Sequence, residues 1–270
     1  MNKTKIWLTA IAIVLIIIYI FPVYSMVMSS LENEKDIMAS RLIPSELHFN
    51  NYSLILEKAS VIRWFINSLV VSIISTAGIV AIAILAAYAL GRMNFPGRKL
   101  LYIFVLAGFT IPLQTIMIPL FLELKTMGFV NSYWGLILPG LASPLTVFIL
   151  ANFFKEIPND YEEAARIDGA SEFTILTRVV IPMSIPAIAS VTILNFTWTW
   201  NDYLWPLVIA TSEKMYTLPV GLATLAGSDS NIRFGPIMAA NVLASIPVLI
   251  FFMLFQKNLI SGVSVGSGVK

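Results

Sequence analysis

Residues 64–90 read WFINSLVVSIISTAGIVAIAILAAYAL, a stretch without a single Asp, Glu, Lys or Arg. A helix crossing the hydrocarbon core of a bilayer needs about 20 predominantly apolar residues, and this run exceeds that. Its apolar residues are continuous rather than alternating, which selects a helix over a barrel strand. Five further stretches satisfy the same reading: residues 6–28, 100–122, 133–154, 183–210 and 236–255. The stretch 183–210 is long and interrupted by polar residues. The expectation is an all-α membrane protein with six transmembrane helices in one domain spanning residues 1–270. Lys3 and Lys5 ahead of the first run also fit a signal peptide. The run is longer than a typical signal core and no small-x-small cleavage pattern follows it, so it is read as a retained helix.

Composition agrees with lipid as the solvent. The 270 residues are 58% hydrophobic and 12% charged, with a mean hydropathy of +0.84. Soluble domains carry about 25% charged residues. A formal net charge of +2 is too small to imply a nucleic-acid partner. Cysteine is absent, which excludes disulfides and thiolate chemistry, and the single histidine, His48, makes a metal site improbable. No Ser/His/Asp or Cys/His set can therefore form within the membrane, which argues against an intramembrane enzyme.

An even number of spans places both termini on one side. Lys3, Lys5, Arg92, Arg98, Lys99, Lys155, Arg166, Arg178, Lys257 and Lys270 all fall on that side, ten of the 17 basic residues. The bias predicts that both termini are cytoplasmic. Pro112, Pro119, Pro139, Pro144, Pro186, Pro206 and Pro247 fall inside the spans. Either packing irregularity or a bundle that bends during a cycle accounts for them.

The loop 155–182 holds the densest local code. Asn159 or Asp160 is positioned to cap a helix after Pro158, and Asp160 with Glu163 has capping-box spacing. Glu162 and Arg166 form an i,i+4 pair. Gly169 ends the helix as a left-handed residue, and Ser171 caps the next, which runs towards Pro182. The first of these helices carries small Ala164 and Ala165, with Ile167 its only larger aliphatic residue. Such a helix suits a groove on a partner, and a solvated hairpin fits the composition equally well.

Glu163-Ala164-Ala165, three residues, Gly169, nine residues, then Val179-Val180-Ile181-Pro182 resembles the EAA signature of bacterial ABC-importer permeases. Asp168-Gly169-Ala170 matches its sugar-importer form. Further segments resemble the smaller, maltose-type permease subunit of carbohydrate-uptake systems: Asn67-Ser68, Ala87-Tyr88-Ala89-Leu90-Gly91-Arg92, Ile111-Pro112, Trp200-Asn201-Asp202-Tyr203-Leu204-Trp205-Pro206-Leu207 and Met238-Ala239-Ala240. The tail from Gln256 to Lys270 is also similar, although Ser267-Gly268 stands where the family has one Ala and the final Gly is absent. The resemblance covers essentially the whole chain.

It implies a type I ABC-importer permease fold whose residues 161–168 form a cytoplasmic coupling helix. Glu163, Ala164, Ala165, Arg166, Asp168, Gly169 and Pro182 would couple this chain to one subunit of an ATPase dimer. The sequence has no phosphate-binding loop of its own, so ATP and Mg are expected on that dimer, with no cofactor or metal in this chain. The other implied partners are a second homologous permease, an extracytoplasmic solute-binding protein, a carbohydrate substrate and membrane lipid. The implied location is a bacterial inner membrane.

Within the stretch 183–210, Asn195, Thr197, Trp198, Thr199, Trp200, Asn201 and Asp202 form a polar and aromatic cluster. Flat aromatic faces and amides suit a polyhydroxylated ligand, and an intramembrane ionisable group faces a cavity as a rule. An interfacial aromatic belt is the even alternative. The stretch has no basic residue, which weighs against an alternative cargo such as glycerol phosphate. A polyol remains open. An ion-coupled secondary transporter would want acidic or histidine relays in several spans, and only Asp202 lies clearly within one. Residues 211–235, with Gly221, Gly227, Ser228, Asp229 and Ser230, read either as a loop reaching a binding protein or as a connector.

Overall fold

The computed structural model describes residues 3–39, 41–57, 59–228 and 234–266, and these are mostly helical with no strand among them. Asp229 and Ser230, and the tail residues Ser267, Gly268, Val269 and Lys270, lie outside the described residues. The helices are α1 (Lys3–Ser30), α2 (Glu34–Met38), α3 (Asn50–Leu56), α4 (Ala59–Gly91), α5 (Arg98–Phe109), α6 (Leu113–Thr126), α7 (Tyr133–Ile137), α8 (Pro144–Glu156), α9 (Asn159–Ile167), α10 (Glu172–Ile175), α11 (Ile181–Met183), α12 (Ile185–Asn201), α13 (Leu204–Ile209), α14 (Leu218–Ser228) and α15 (Phe234–Gly266). A 3-10 turn, Leu138–Leu141, joins α7 to α8, and a widened π turn, Leu176–Val180, joins α10 to α11. Among the described residues, three helices are long and apolar enough to cross a membrane alone, over Trp7–Ser30, Ser60–Gly91 and Phe234–Gln256. The number rises to six if each of three bent helix pairs counts as one span.

The bends sit where the backbone cannot continue. The stretch 100–122 is two helices, α5 and α6, turned by 97°. Pro112 has no N–H and drives Ile111 out of the helical region, while the Thr110 hydroxyl donates to Ala107 O at 2.7 Å and closes the end of α5. The stretch 133–154 bends by 42° before α8. Pro144 occupies the first turn of α8, where its missing donor costs nothing. The stretch 183–210 is not one helix either. Its main part, α12, meets the preceding Glu172–Met183 segment at 80°, and after Asp202 a separate short helix, α13, begins. Residues 211–235 include the apolar helix α14 rather than a simple connector.

The backbone divides into two compact units, Met1–Phe65 with Leu218–Pro247, and Ile66–Thr217 with Val248–Lys270. In the first unit α1 is exposed from Trp7 to Tyr24, so its apolar surface there requires lipid or another chain as cover. Gly221 packs directly on Trp64: a Cβ there would lie 2.1 Å from the indole ring. The Glu34 carboxylate accepts the backbone N–H groups of Phe234 and Gly235 at 3.1 and 3.0 Å, holding the start of α15.

In the second unit the main core joins α4, α8, α9 to α11, and α12. Ala83, Ala87, Leu150, Ala151, Phe154, Ile175, Val180 and Val191 are among its buried members. Small residues let α4 and α8 approach closely; a Cβ on Gly91 would stand 3.0 Å from Ala151 O. A second cluster joins Val71 of α4 to Leu124, Leu136, Ile137, Trp205 and Ile209.

Candidate functional site

The segment 155–182 folds as a helical hairpin. α9 begins after Pro158, whose extended backbone (φ −57°, ψ 136°) marks the boundary. No side chain caps it: the expected caps at Asn159 or Asp160, and the Asp160–Glu163 box, do not form, because Pro158 takes the cap position and Asn159 is already in the helix. Asp160 and Glu162 in the first turn supply negative charge there instead. The C-terminal end follows the expectation. Gly169 has φ 81°, its N–H donates to Arg166 O at 3.0 Å, and Ala170 N–H reaches back to Ala165 O at 2.9 Å. This pair of bonds is a Schellman closure. The Ser171 hydroxyl then accepts Thr174 N–H at 3.3 Å and starts the second arm.

α9 has two unlike faces. Inward, Glu162 is buried and Ala165 packs against the core. Outward, Tyr161, Glu163, Ala164 and Asp168 are exposed, and so are two apolar side chains, Ile167 at 86% and Phe173 of α10 at 69%. Pro182 is exposed in the first turn of α11.

The inward face is fixed by ions. Arg92, immediately after α4, donates Nε–H to Glu162 Oε1 at 2.7 Å, and its Nη1 reaches Phe154 O at 3.2 Å and Ile157 O at 2.8 Å. The two side chains are 5% and 4% exposed. Glu162 Oε2 faces Arg166 Nη2 at 3.5 Å, and Arg166 Nε donates to Glu172 Oε1 at 3.0 Å. Tyr88 of α4 donates its hydroxyl to Glu172 Oε2 at 2.6 Å. Two cations thus meet two carboxylates, and a phenol closes the chain. Hydrogen bonds from Arg166 first, and Tyr88 second, hold the Glu172 carboxyl below its ordinary range, and Glu172 in turn raises Arg166. Removing one partner of a buried pair costs roughly 3–5 kcal/mol, because the other charge is left uncompensated.

Arg92, Tyr88 and Glu172 lie outside the sequence candidates. Arg92 ends the quoted segment that begins at Ala87, and a long cation so close to an apolar span needs a carboxylate. The sequence alone does not say which one.

The polar cluster of α12 is split by the helix. Asn195 is buried, its amide donating to Thr146 Oγ1 at 2.9 Å and to Val191 O at 2.7 Å. Trp200 is also buried, stacked on Phe196 with ring centroids 6.0 Å apart. Trp198 and Asn201 lie on the exposed side, and the Asn201 amide donates to Thr197 O at 2.8 Å. Asp202 follows the last turn and faces the backbone N–H groups of Tyr203, Leu204 and Trp205 at the start of α13.

Towards the other end of α4, about two turns in from its start at Ala59, a second polar clasp appears. Asn67 is buried; its amide donates to Lys214 O and Tyr216 O, both at 2.9 Å, and its carbonyl accepts the Tyr133 hydroxyl at 2.7 Å. Asn131, in the left-handed region at φ 58°, accepts Thr211 N–H at 3.1 Å and Ser212 N–H at 3.0 Å. The segment 211–217 is therefore held by two asparagines.

Comparison with known proteins follows the same outline. Residues 79–265 match the family described as binding-protein-dependent transport system inner membrane component. The arabinooligosaccharides transport system permease protein AraQ of Bacillus subtilis (strain 168) is 34% identical over 271 residues, covering 98% of this chain and 96% of AraQ. The trehalose/maltose transport system permease protein MalG of Thermococcus litoralis is 35% identical over 260 residues, covering 95% and 94%. A chain from the crystal structure of a bacterial ABC transporter involved in the import of the acidic polysaccharide alginate superposes with a TM-score of 0.83 at 24% identity, over 95% of this chain and 98% of that one.

Proposed function

The chain belongs to the family of binding-protein-dependent transport inner membrane components, and on that premise we propose that it is a permease subunit of an ATP-binding-cassette importer that brings a carbohydrate into a bacterial cell. The observation that carries this reading is the two-faced α9, anchored inward through Glu162 and presenting Glu163, Ala164 and Ile167 outward. An exposed helix with small and apolar residues at its centre is shaped for a groove. On this reading the groove belongs to an ATPase subunit, which binds ATP and Mg. This chain performs no hydrolysis and serves as the transport subunit.

Both termini and the hairpin 155–182 are cytoplasmic, as the distribution of Lys and Arg supports. Closure of an ATPase dimer draws α9 and its counterpart on a second permease subunit together, and the spans move between two discrete arrangements. The Gly169 turn fixes the angle between α9 and the arm leading into α12, so displacement of α9 is delivered to the helix that carries Trp198 and Asn201. These two exposed residues are the contribution of α12 to the passage, while Asn195 and Trp200 hold the helix from behind. Carbohydrate cargo is supported by the relatives named above, which carry arabinooligosaccharides and trehalose or maltose. An extracytoplasmic binding protein delivers it.

The test is reconstitution in liposomes of this chain with its partner permease, ATPase and binding protein. ATP-dependent accumulation of a labelled oligosaccharide, absent when the binding protein is omitted, is the expected result. Uptake by this chain alone, driven by an ion gradient, overturns the proposal.

A further inference from the structure

The ion network that fastens α9 lies on the face opposite the one offered to a partner, so docking alone does not account for it. We infer that Arg92 is a positioning residue for energy coupling: it locks the coupling helix α9 onto the end of α4, so that α4 moves with α9 as one body. The inference rests on the proposed function and deepens it.

The geometry of Arg92 is specific to this task. Its guanidinium makes three bonds to three points that surround the α8–α9 junction: the Glu162 carboxylate at 2.7 Å, Phe154 O at 3.2 Å and Ile157 O at 2.8 Å. Phe154 and Ile157 lie at the end of α8, and Glu162 lies one turn into α9. One planar fork therefore spans the joint at Pro158, where the backbone is extended and the helical hydrogen bonding of α8 is interrupted before α9. An ammonium cannot span it in the same way, since lysine presents a single nitrogen. Glu162 cannot leave without exposing a buried guanidinium, and Arg92 cannot leave without freeing two carbonyls as well as the carboxylate. Arg166, Glu172 and Tyr88 then tie the second arm of the hairpin to α4 through a phenol, a weaker and more exposed link.

The experiment uses the complete reconstituted transporter and reads solute moved per ATP hydrolysed, alongside recovery of the assembled complex. Arg92→Met and Glu162→Gln are each expected to lower that ratio about tenfold, and the double variant is expected to fall no further than either alone, as for residues acting as one unit. Arg92→Lys is expected to remain impaired, because charge is kept and the fork is lost. Tyr88→Phe, which deletes only the outer link, is the mild variant: it is expected to assemble fully and lower the ratio about twofold, a change that corresponds to less than 1 kcal/mol. A ratio equal to wild type in every assembled variant overturns the inference, as does full rescue by Arg92→Lys. So does a loss of assembled complex in Arg92→Met and Glu162→Gln, together with an unchanged ratio in Tyr88→Phe. Failure of the unaltered complex to transport at all would refute the proposed function instead, which keeps the two failures apart.

Discussion

Replacing Gly169 by valine isolates the turn at the tip of the hairpin. Gly169 has φ 81°, and an added Cβ meets nothing within 4 Å. The cost of a side chain here is therefore backbone strain and not collision. A residue held in the left-handed region costs of order 1–3 kcal/mol, with β-branched residues at the upper end. Asparagine visits that region readily. About 2 kcal/mol shifts the balance between the closed turn and an opened one by roughly thirtyfold. That is enough to misplace α9 in most molecules, and far too little to prevent insertion of the spans. Gly169→Val should insert, should bind its partner permease, and should hydrolyse ATP without proportionate transport. Gly169→Asn should transport within about twofold of wild type. The assay is labelled-solute uptake and ATP hydrolysis in the same liposomes. Normal uptake by Gly169→Val refutes the argument. Equal damage by valine and asparagine also refutes it, since that pattern follows side-chain bulk rather than φ.

Gly221→Ala places a Cβ 2.1 Å from the Trp64 ring, and overpacking of this kind costs about 1–3 kcal/mol; a lowered melting temperature in detergent checks it. Trp200→Ala should destabilise by about 3–5 kcal/mol because the ring is buried, whereas Trp198→Ala, exposed at 54%, should leave melting unchanged and alter uptake. Equal effects on melting would show that the two faces of α12 are not distinct. The Glu172 carboxyl is held below the ordinary value of 4.5 by Arg166 and then Tyr88. A depressed carboxyl contributes stability that is complete above the unfolded value and lost as pH falls through the folded one. The wild type should therefore lose stability below 4.5, and Glu172→Gln should lose less across the same range, measured as melting temperature against pH.

The apolar spans were legible because solvent leaves its mark on composition, and the closure at Gly169 because one residue type dominates that geometry. The bends were less so. Residues 100–122 are predominantly apolar, and hydropathy does not register a 97° turn; only Pro112, read among many interior prolines, signals it. Residues 218–228 were hidden by their glycines and the flanking serines, although LPVGLATLAGS is an apolar helix. The cap expected at Asn159 or Asp160 was displaced by Pro158, which starts the helix one step earlier. Arg92 and Glu162 are 70 positions apart, and no local pattern selects one carboxylate among those of the hairpin. Nor does the order of polar residues in 195–202 separate the core-facing Asn195 and Trp200 from the exposed Trp198 and Asn201, because the whole run is amphipathic only in three dimensions.

α4 runs unbroken from Asn67 to its end at Gly91, a distance of about 36 Å at the usual helical rise. One extremity grips the segment 211–217 and the other grips α9. Its register is thereby fixed. Inserting one residue anywhere between the two anchorages would rotate one grip by about 100° relative to the other and advance it by about 1.5 Å, so neither asparagine nor arginine would find its acceptors. Substitutions along the same stretch disturb only their own neighbours. In this helix, then, length is inherited more strictly than content: natural variation should exchange exposed residues such as Ile73, Ile74, Ile82 and Leu85 far more readily than it adds or deletes one.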